Sequence, residues 1–475
     1  MQQKPKLFGA TAWYGIGNLF VRFVGIILLP LYSNLIPVEE FGIYSLLMSI
    51  YAVSSVFYQF GMNSALTNFY LKEDDELKRE LVFSTIMNSI VLMGIFFSVI
   101  ALLITPVLSQ KILDSNKYDY FLVLLFIIIF VETISSFILQ LFKTKELSRK
   151  VVAYLSLGAV LNFVFNLWFV YGLRMQIKGI LYAQLISALF VLFVLLPFVR
   201  KSYHLKIDKN ILSVVVLFSI PLFISGLFSS GIDVADRFIL DYFFTKKEVG
   251  EYSFAYRLAM VTNIFVISFR AAWTPYSLNR NKHNESAEDF GKVLVKIILI
   301  GSVLLFVVSF FADDLFNIKL QGIYLFNSDY KNGLVIIPFI VLGYIFSSIA
   351  SFYSIYPFVS NKSYHFLISD GIGLAANLIL NFLLIPKFGL IGAGISTCIS
   401  FFISAGYLYA ISRDKVKIIY QKKQMNVLII SGLLILALGF AINNFIVQIG
   451  LVAAYILIAE FIARIKLTKL TKLLN

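Results

Sequence analysis

Several charged side chains lie where the chain otherwise resembles hydrocarbon. Arg22 sits in LFGATAWYGIGNLFVRFVGIILLPLY and Glu132 in LLFIIIFVETISSF. The stretch GIDVADRFILDYFF brings Asp233, Asp236, Arg237 and Asp241 within nine positions, and Arg257 and Arg270 follow in the next apolar segment. A charge at the centre of a membrane span costs about 2.5–3.5 kcal/mol on insertion scales. Arg22, Arg237 and Arg257 facing lipid would together cost on the order of 10 kcal/mol, comparable to the stability of a whole domain. They are expected to face water or countercharges instead. The chemistry that buried arginines suit is anion binding, because guanidinium is permanently charged, planar and bidentate. Pairing with Glu132 or Asp236 is the structural alternative. Glu132 suits carriage of a proton or a sodium ion, and suits equally a pairing with Arg22. Asp233, Arg237 and Asp241 fall at i, i+4 and i+8, a single charged stripe with Asp236 beside it. Snorkelling to the interface is the plainer account of that stripe.

The elements that must hold these groups are membrane helices. Of 475 residues, 59% are hydrophobic and only 14% charged, against about 45–50% apolar in soluble domains. Apolar runs near 7–31, 41–69, 81–106, 119–142, 151–171, 178–199, 211–236, 249–276, 291–312, 332–358, 364–385, 389–411, 425–443 and 447–464 give fourteen expected spans. Each reaches the ~20 residues that cross a ~30 Å core. An even number puts both termini on one side. The loops on the side of the termini, with the two tails, then hold 26 Lys and Arg; the opposite loops hold 9, and 5 lie in or at the edges of spans. That bias makes the termini cytoplasmic. It also accounts for the net charge of +14 without a nucleic-acid partner. The first apolar run is too long for a signal-peptide core and is expected to remain as the first span. Cys398, the single cysteine, excludes an intrachain disulfide and reads as a packing residue. His204, His283 and His365 fall in or beside loops, so no metal site is expected, and no nucleotide-binding Gly-Lys-Ser/Thr loop occurs.

The chain repeats itself. Glu40, Gly42, Tyr44 and Ser45 match Glu248, Gly250, Tyr252 and Ser253 at an offset of 208. Asn162, Asn166, Gly179 and Ile180 match Asn377, Asn381, Gly394 and Ile395 at an offset of 215. Six spans separate the copies, so both halves face the same way, as in transporters whose site lies between parallel repeats. The expected fold class is an all-α integral membrane protein of about fourteen transmembrane helices. It comprises two six-helix halves in a parallel pseudo-twofold repeat, plus two C-terminal helices. The expected boundaries are 1–199 for the first half, 200–210 for a linker, 211–411 for the second half, 425–464 for the last two helices and 465–475 for a basic tail.

Arg22 with LLPLYSNLIPVEEFGIYS, the DRFILDYFFTKKEVGEYS stretch and NLILNFLLIPKFGLIGAGISTCIS resemble the Wzx-type flippases. These form the polysaccharide-transporter branch of the multidrug/oligosaccharidyl-lipid/polysaccharide exporter superfamily. The resemblance covers the first twelve spans. It implies a non-enzymatic, alternating-access flippase in a bacterial plasma membrane, serving O-antigen, capsule or exopolysaccharide biosynthesis. Its cargo would be an undecaprenyl-diphosphate-linked oligosaccharide moved from the cytoplasmic to the outer leaflet. Membrane lipids, a polysaccharide polymerase and a chain-length regulator are the implied partners. No cofactor is implied beyond coupling to protons or sodium. The diphosphate would meet Arg22 and Arg257, which come from opposite halves, with Arg237 and Arg270 contributing. Tyr58, Gln59, Asn63, Asn68 and Trp273 would offer contacts to sugar. Glu132, Asp233 and Asp236 would serve ion coupling or charge pairing. Asn162, Asn166, Asn377 and Asn381 read as amide glue between helices. Two other functions compete. A drug or organic-cation antiporter wants acidic residues lining its lumen with few arginines. A membrane-embedded polysaccharide polymerase wants a large outer loop or an acidic catalytic motif.

Overall fold

The computed structural model describes residues 7–200, 202–281, 287–360, 362, 364–442 and 444–462. Helices dominate: α1 (Leu7–Leu35), α2 (Val38–Gln59), α3 (Met62–Tyr70), α4 (Glu76–Ile112), α5 (Asp119–Thr144), α6 (Ser148–Asn166), α7 (Gln176–Val199), α8 (Lys209–Phe243) and α9 (Lys246–Ala259). They continue as α10 (Val261–Asn281), α11 (Ala287–Phe311), α12 (Ile337–Tyr353), α13 (Ile355–Val359), α14 (Tyr364–Ser412), α15 (Lys422–Ala441) and α16 (Phe445–Leu457). A two-residue hairpin, Lys319–Leu320 against Ile323–Tyr324, is the one sheet among the described residues. Gln321 and Gly322 turn it with φ of 51° and 85°, the mirror-image turn that hairpins favour.

Ten helical stretches are long and apolar enough to cross a membrane, or eleven with the bent pair α9–α10 taken as one. This count differs from the expected fourteen at three places. Two expected spans, the first and the last, are counted only over their described apolar residues, Phe20–Leu35 and Phe445–Phe461. The 49-residue α14 reads as one helix, although Gly389 in its middle has φ 55° and ψ −129° and breaks it. At 1.5 Å per residue, α14 unbroken would run about 74 Å, more than twice a ~30 Å core.

The chain divides into two compact units, Met1–Gly250 and Glu251–Asn475. In the first unit α5 is the interior element: its neighbours are α2, α3, α4, α6 and α7, and it is the most buried of the candidate spans. Phe83 stacks on Phe137 at 5.6 Å in the core that α3, α4, α5 and α7 share. Helix ends follow local chemistry. Asp75 caps α4 and Asp208 caps α8, each accepting from backbone N–H groups of the first turn. Tyr32 Oη donates to Asn166 Oδ1 at 2.8 Å and ties α1 to α6. The segment after α7 is sewn to α4: Asn88 Nδ2 donates to the carbonyls of His204 and Lys206, and Tyr203 Oη donates to Asn88 Oδ1.

The internal repeat has a structural counterpart. A Cβ built on Gly42 would lie 1.9 Å from Lys246 O, and one on Gly250 would lie 2.1 Å from Val38 O. Residues 38 and 246 differ by the same 208 as 42 and 250, so α2 and the start of α9 cross reciprocally within the first unit. The asparagine pairs also match. Asn166 Nδ2 donates to Asn162 Oδ1 at 3.1 Å, and Asn381 Nδ2 donates to Asn377 Oδ1 at 2.9 Å.

In the second unit, α11 packs on α12, α15 and α16. Phe306, Phe310, Leu428, Ile435 and Tyr455 form the core between them. Trp273, Phe290, Phe352, Tyr353 and Leu408 form another, which joins α10 and α11 to α12 and α14. Cys398 is buried in α14, in keeping with a packing role.

Candidate functional site

The charges that end α8 have partners both within the helix and beyond it. Arg237 Nη1 lies 3.3 Å from Asp236 Oδ1 and donates to the main-chain carbonyl of Asp233. Asp236 is fully buried and its Oδ1 also accepts from the Arg237 backbone N–H at 2.8 Å. Asp241 belongs to a different knot. Lys246 Nζ, on α9, reaches Asp241 Oδ1 at 2.5 Å, Asp114 Oδ2 at 2.9 Å and Ile112 O at 2.6 Å. Asp233, Arg237 and Asp241 keep their i, i+4, i+8 spacing on α8, with additional partners at Asp236 and Lys246. A lysine five residues beyond Asp241 captures it, and Arg237 reaches both Asp236 and the Asp233 carbonyl. Asp233 is exposed.

Glu132 lies half-buried in α5. Its Oε2 accepts from Tyr51 Oη of α2, and its Oε1 accepts from Gln184 Nε2 of α7 at 3.1 Å. No ion pair joins it to Arg22 among the described residues, which corrects that alternative. Neutral donors, rather than a countercharge, hold the carboxylate.

Arg22 is half-buried in α1. It lies fifteen residues from the start of the helix, about 22 Å along its axis. Its flanks Phe20, Phe23 and Ile27 are exposed apolar side chains, while Val24, Leu28 and Leu29 are buried. Arg22 makes no hydrogen bond or ion pair with a described residue. Of the other arginines, Arg257 is half-buried in the last turn of α9. Arg270 is exposed on α10 and donates from Nε to Ser351 Oγ at 3.1 Å.

The neutral candidates divide. Tyr58 is 2% exposed, with its hydroxyl 2.9 Å from Ser98 Oγ, and packs in the core. Trp273 is likewise buried and donates to Phe352 O at 3.0 Å. Asn63 is half-buried in α3, its Nδ2 donating to Gln59 Oε1 at 3.2 Å and to Ser136 Oγ at 3.3 Å. Asn63 leads to residues that the sequence reading passed over. Gln140 Nε2 donates to Thr67 Oγ1 at 2.9 Å, and the Thr67 and Thr144 hydroxyls lie 3.0 Å apart. Glu132, Ser136, Gln140 and Thr144 recur every four residues, one face of a helix. Between Val131 and Phe142 every other α5 residue is buried, whereas Glu132, Ser136 and Gln140 are half-buried. The spacing of four was visible in the sequence. The strongly apolar residues between these positions obscured it.

Within the apolar part of its helices this first unit thus holds Arg22, which has no countercharge among the described residues, Glu132, held by neutral donors, and a ladder of hydroxyls and amides between α3 and α5. No nucleophile–base pair occurs in that set, so it is suited to binding.

Comparisons with known proteins agree with this character. A family profile described as polysaccharide biosynthesis protein matches residues 9–279. An uncharacterized membrane protein of Methanocaldococcus jannaschii is 26% identical over 444 residues, spanning 85% of this chain and 83% of that one. The probable low-salt glycan biosynthesis flippase Agl15 of Haloferax volcanii is 24% identical over 246 residues, which span 50% of this chain and 49% of that one. In fold, the chain is similar to the lipid II flippase MurJ in an inward closed conformation. The TM-score is 0.73 at 17% identity, covering 94% of this chain and 98% of that one. With the profile covering more than half of its length, the chain belongs to the polysaccharide biosynthesis protein family.

Proposed function

We propose that this multi-pass membrane protein is a flippase for a lipid-diphosphate-linked oligosaccharide, and that Arg22 meets the diphosphate. Arg22 carries the reading: a permanent cation deep in an apolar helix, without a countercharge among the described residues. Such a group is costly in hydrocarbon unless water or an anion covers it. A diphosphate supplies the charge, and guanidinium binds phosphate oxygens through paired N–H donors. Arg257 and Arg270 are secondary candidates. Arg237 is the weakest, since Asp236 already compensates it.

The Lys and Arg distribution supports cytoplasmic termini. Transport then runs by alternating access from the cytoplasmic to the outer leaflet. The glycan would serve a surface polysaccharide, with a polymerase and a chain-length regulator acting downstream. Glu132 is the candidate for coupling to protons or sodium, being held by donors that serve a charged or a neutral carboxyl.

The test uses proteoliposomes with a fluorescent lipid-diphosphate oligosaccharide, followed into the opposite leaflet. Wild type should move it, Arg22→Ala should lose most of the rate, and Arg22→Lys should recover part of it. Transport indifferent to Arg22→Ala moves the anion site elsewhere. A wild type that moves no glycan lipid under any ion gradient overturns the flippase reading.

A further inference from the structure

The ladder between α3 and α5 does more than join two helices. Asn63 uses Nδ2 and leaves Oδ1 without a hydrogen bond to any described residue; Gln59 uses Oε1 and leaves Nε2. Gln140 and Gln184 each use Nε2 and leave Oε1. None of these four atoms is sealed from solvent in the manner of the buried, unsatisfied Asn377 Nδ2 and Asn381 Oδ1. They are open donors and acceptors on α2, α3, α5 and α7, gathered along the half-buried face of the most interior span. Glu132, Ser136 and Gln140 run about 12 Å along that face. Apart from Glu132, every group named on it is neutral.

An amide offers a donor and an acceptor side by side, and a hydroxyl offers both at one atom. A row of them with little charge matches a ligand that itself donates and accepts at every position, which is a polyhydroxylated chain. It matches a diphosphate poorly, because that wants cations. We propose that the Gln59–Asn63–Ser136–Gln140 ladder is a sugar-binding track in the first unit, which takes the glycan while its anionic head is held elsewhere. The proposal rests on the flippase reading and divides its substrate between two chemistries.

The experiment compares two fluorescent polyprenyl diphosphates in proteoliposomes, one carrying an oligosaccharide and one carrying none. The quantity read is the ratio of their transport rates. Gln140→Leu and Ser136→Ala should each lower that ratio by about 3- to 10-fold, the worth of one good neutral hydrogen bond. Free oligosaccharide without lipid should inhibit wild type and lose potency against Gln140→Leu. Should Gln140→Leu fail to fold, Gln140→Asn, which keeps the amide and withdraws it by one methylene, replaces it with the same expectation. An unchanged ratio and unchanged inhibition in a folded variant overturn the track while leaving the flippase reading intact. A wild type that moves neither lipid overturns both.

Discussion

The reciprocal crossing of α2 and α9 admits a quantitative test. A Cβ on Gly42 would stand 1.9 Å from Lys246 O, where ordinary contact begins at 3.4 Å, so the backbones must part by roughly 1.5 Å. A gap half that size already forfeits about a quarter to a half of each contact it opens. Overpacking of this kind costs about 1–3 kcal/mol, and alanine returns about 1 kcal/mol of helix propensity. Backbone against backbone cannot be relieved by a rotamer change, so Gly42→Ala belongs near the upper end, with a net loss of about 1–2 kcal/mol. Gly25 is the control: nothing lies within 4 Å of its Cβ position, so Gly25→Ala should gain about 0.5–1 kcal/mol. In a unit of this size each kcal/mol moves the melting temperature by about 2–4 °C. Purified protein in detergent should therefore melt several degrees lower with Gly42→Ala than with Gly25→Ala. Gly250→Ala should behave like Gly42→Ala, since its Cβ would meet Val38 O at 2.1 Å. The double variant should cost less than the sum, because the first alanine opens the gap that admits the second. Equal melting of the Gly42 and Gly25 variants, or strict additivity of the two crossing glycines, would refute the reciprocal crossing.

Two further outcomes follow from the charged groups. Glu132→Gln keeps hydrogen-bonding capacity toward Tyr51 and Gln184 and should fold near wild type while losing any dependence of transport on a proton or sodium gradient. Glu132→Leu strands both donors and should cost about 1–3 kcal/mol for each, read as a lower melting temperature. Lys246→Met leaves Asp241, 12% exposed at its side chain, without its cation and should destabilise the protein. Adding Asp241→Asn should recover part of that loss, as a double-mutant cycle on the two positions would report.

The apolar blocks and the helical class were legible because each rests on many residues at once. The matching of Gly42 with Gly250 was visible too. That the two glycines meet was not, since a repeat says which positions are equivalent and nothing about which touch. Charge pairing was the least legible feature. On a helix, i and i+4 are neighbours, so Asp233, Arg237 and Asp241 read as one group. The chain also folds back after Phe243, and Lys246 competes for Asp241 through space. Tyr58 and Trp273 failed as open sugar contacts for a related reason. A polar atom on a large ring finds a partner inside the protein, here Ser98 and the Phe352 carbonyl.

The treatment of charge within the first unit narrows what its ligand can be. Arg237 has Asp236, Lys246 has Asp241 and Asp114, and Glu132 has two neutral donors. A chain that compensates its other intramembrane charges here could have compensated Arg22 with one more carboxylate. Such a partner would also have neutralised the site toward an anion and made the arginine's exposure pointless. A lone guanidinium on one helix and a nearly neutral polar ladder on another suit a substrate that is anionic at one end and hydroxylated along the rest. An organic cation would want the reverse: exposed carboxylates and no uncompensated arginine. The proposed lipid-diphosphate glycan and the antiporter reading therefore differ in what they ask of Arg22, and Arg22→Ala with a glycan lipid or an organic cation as cargo separates them.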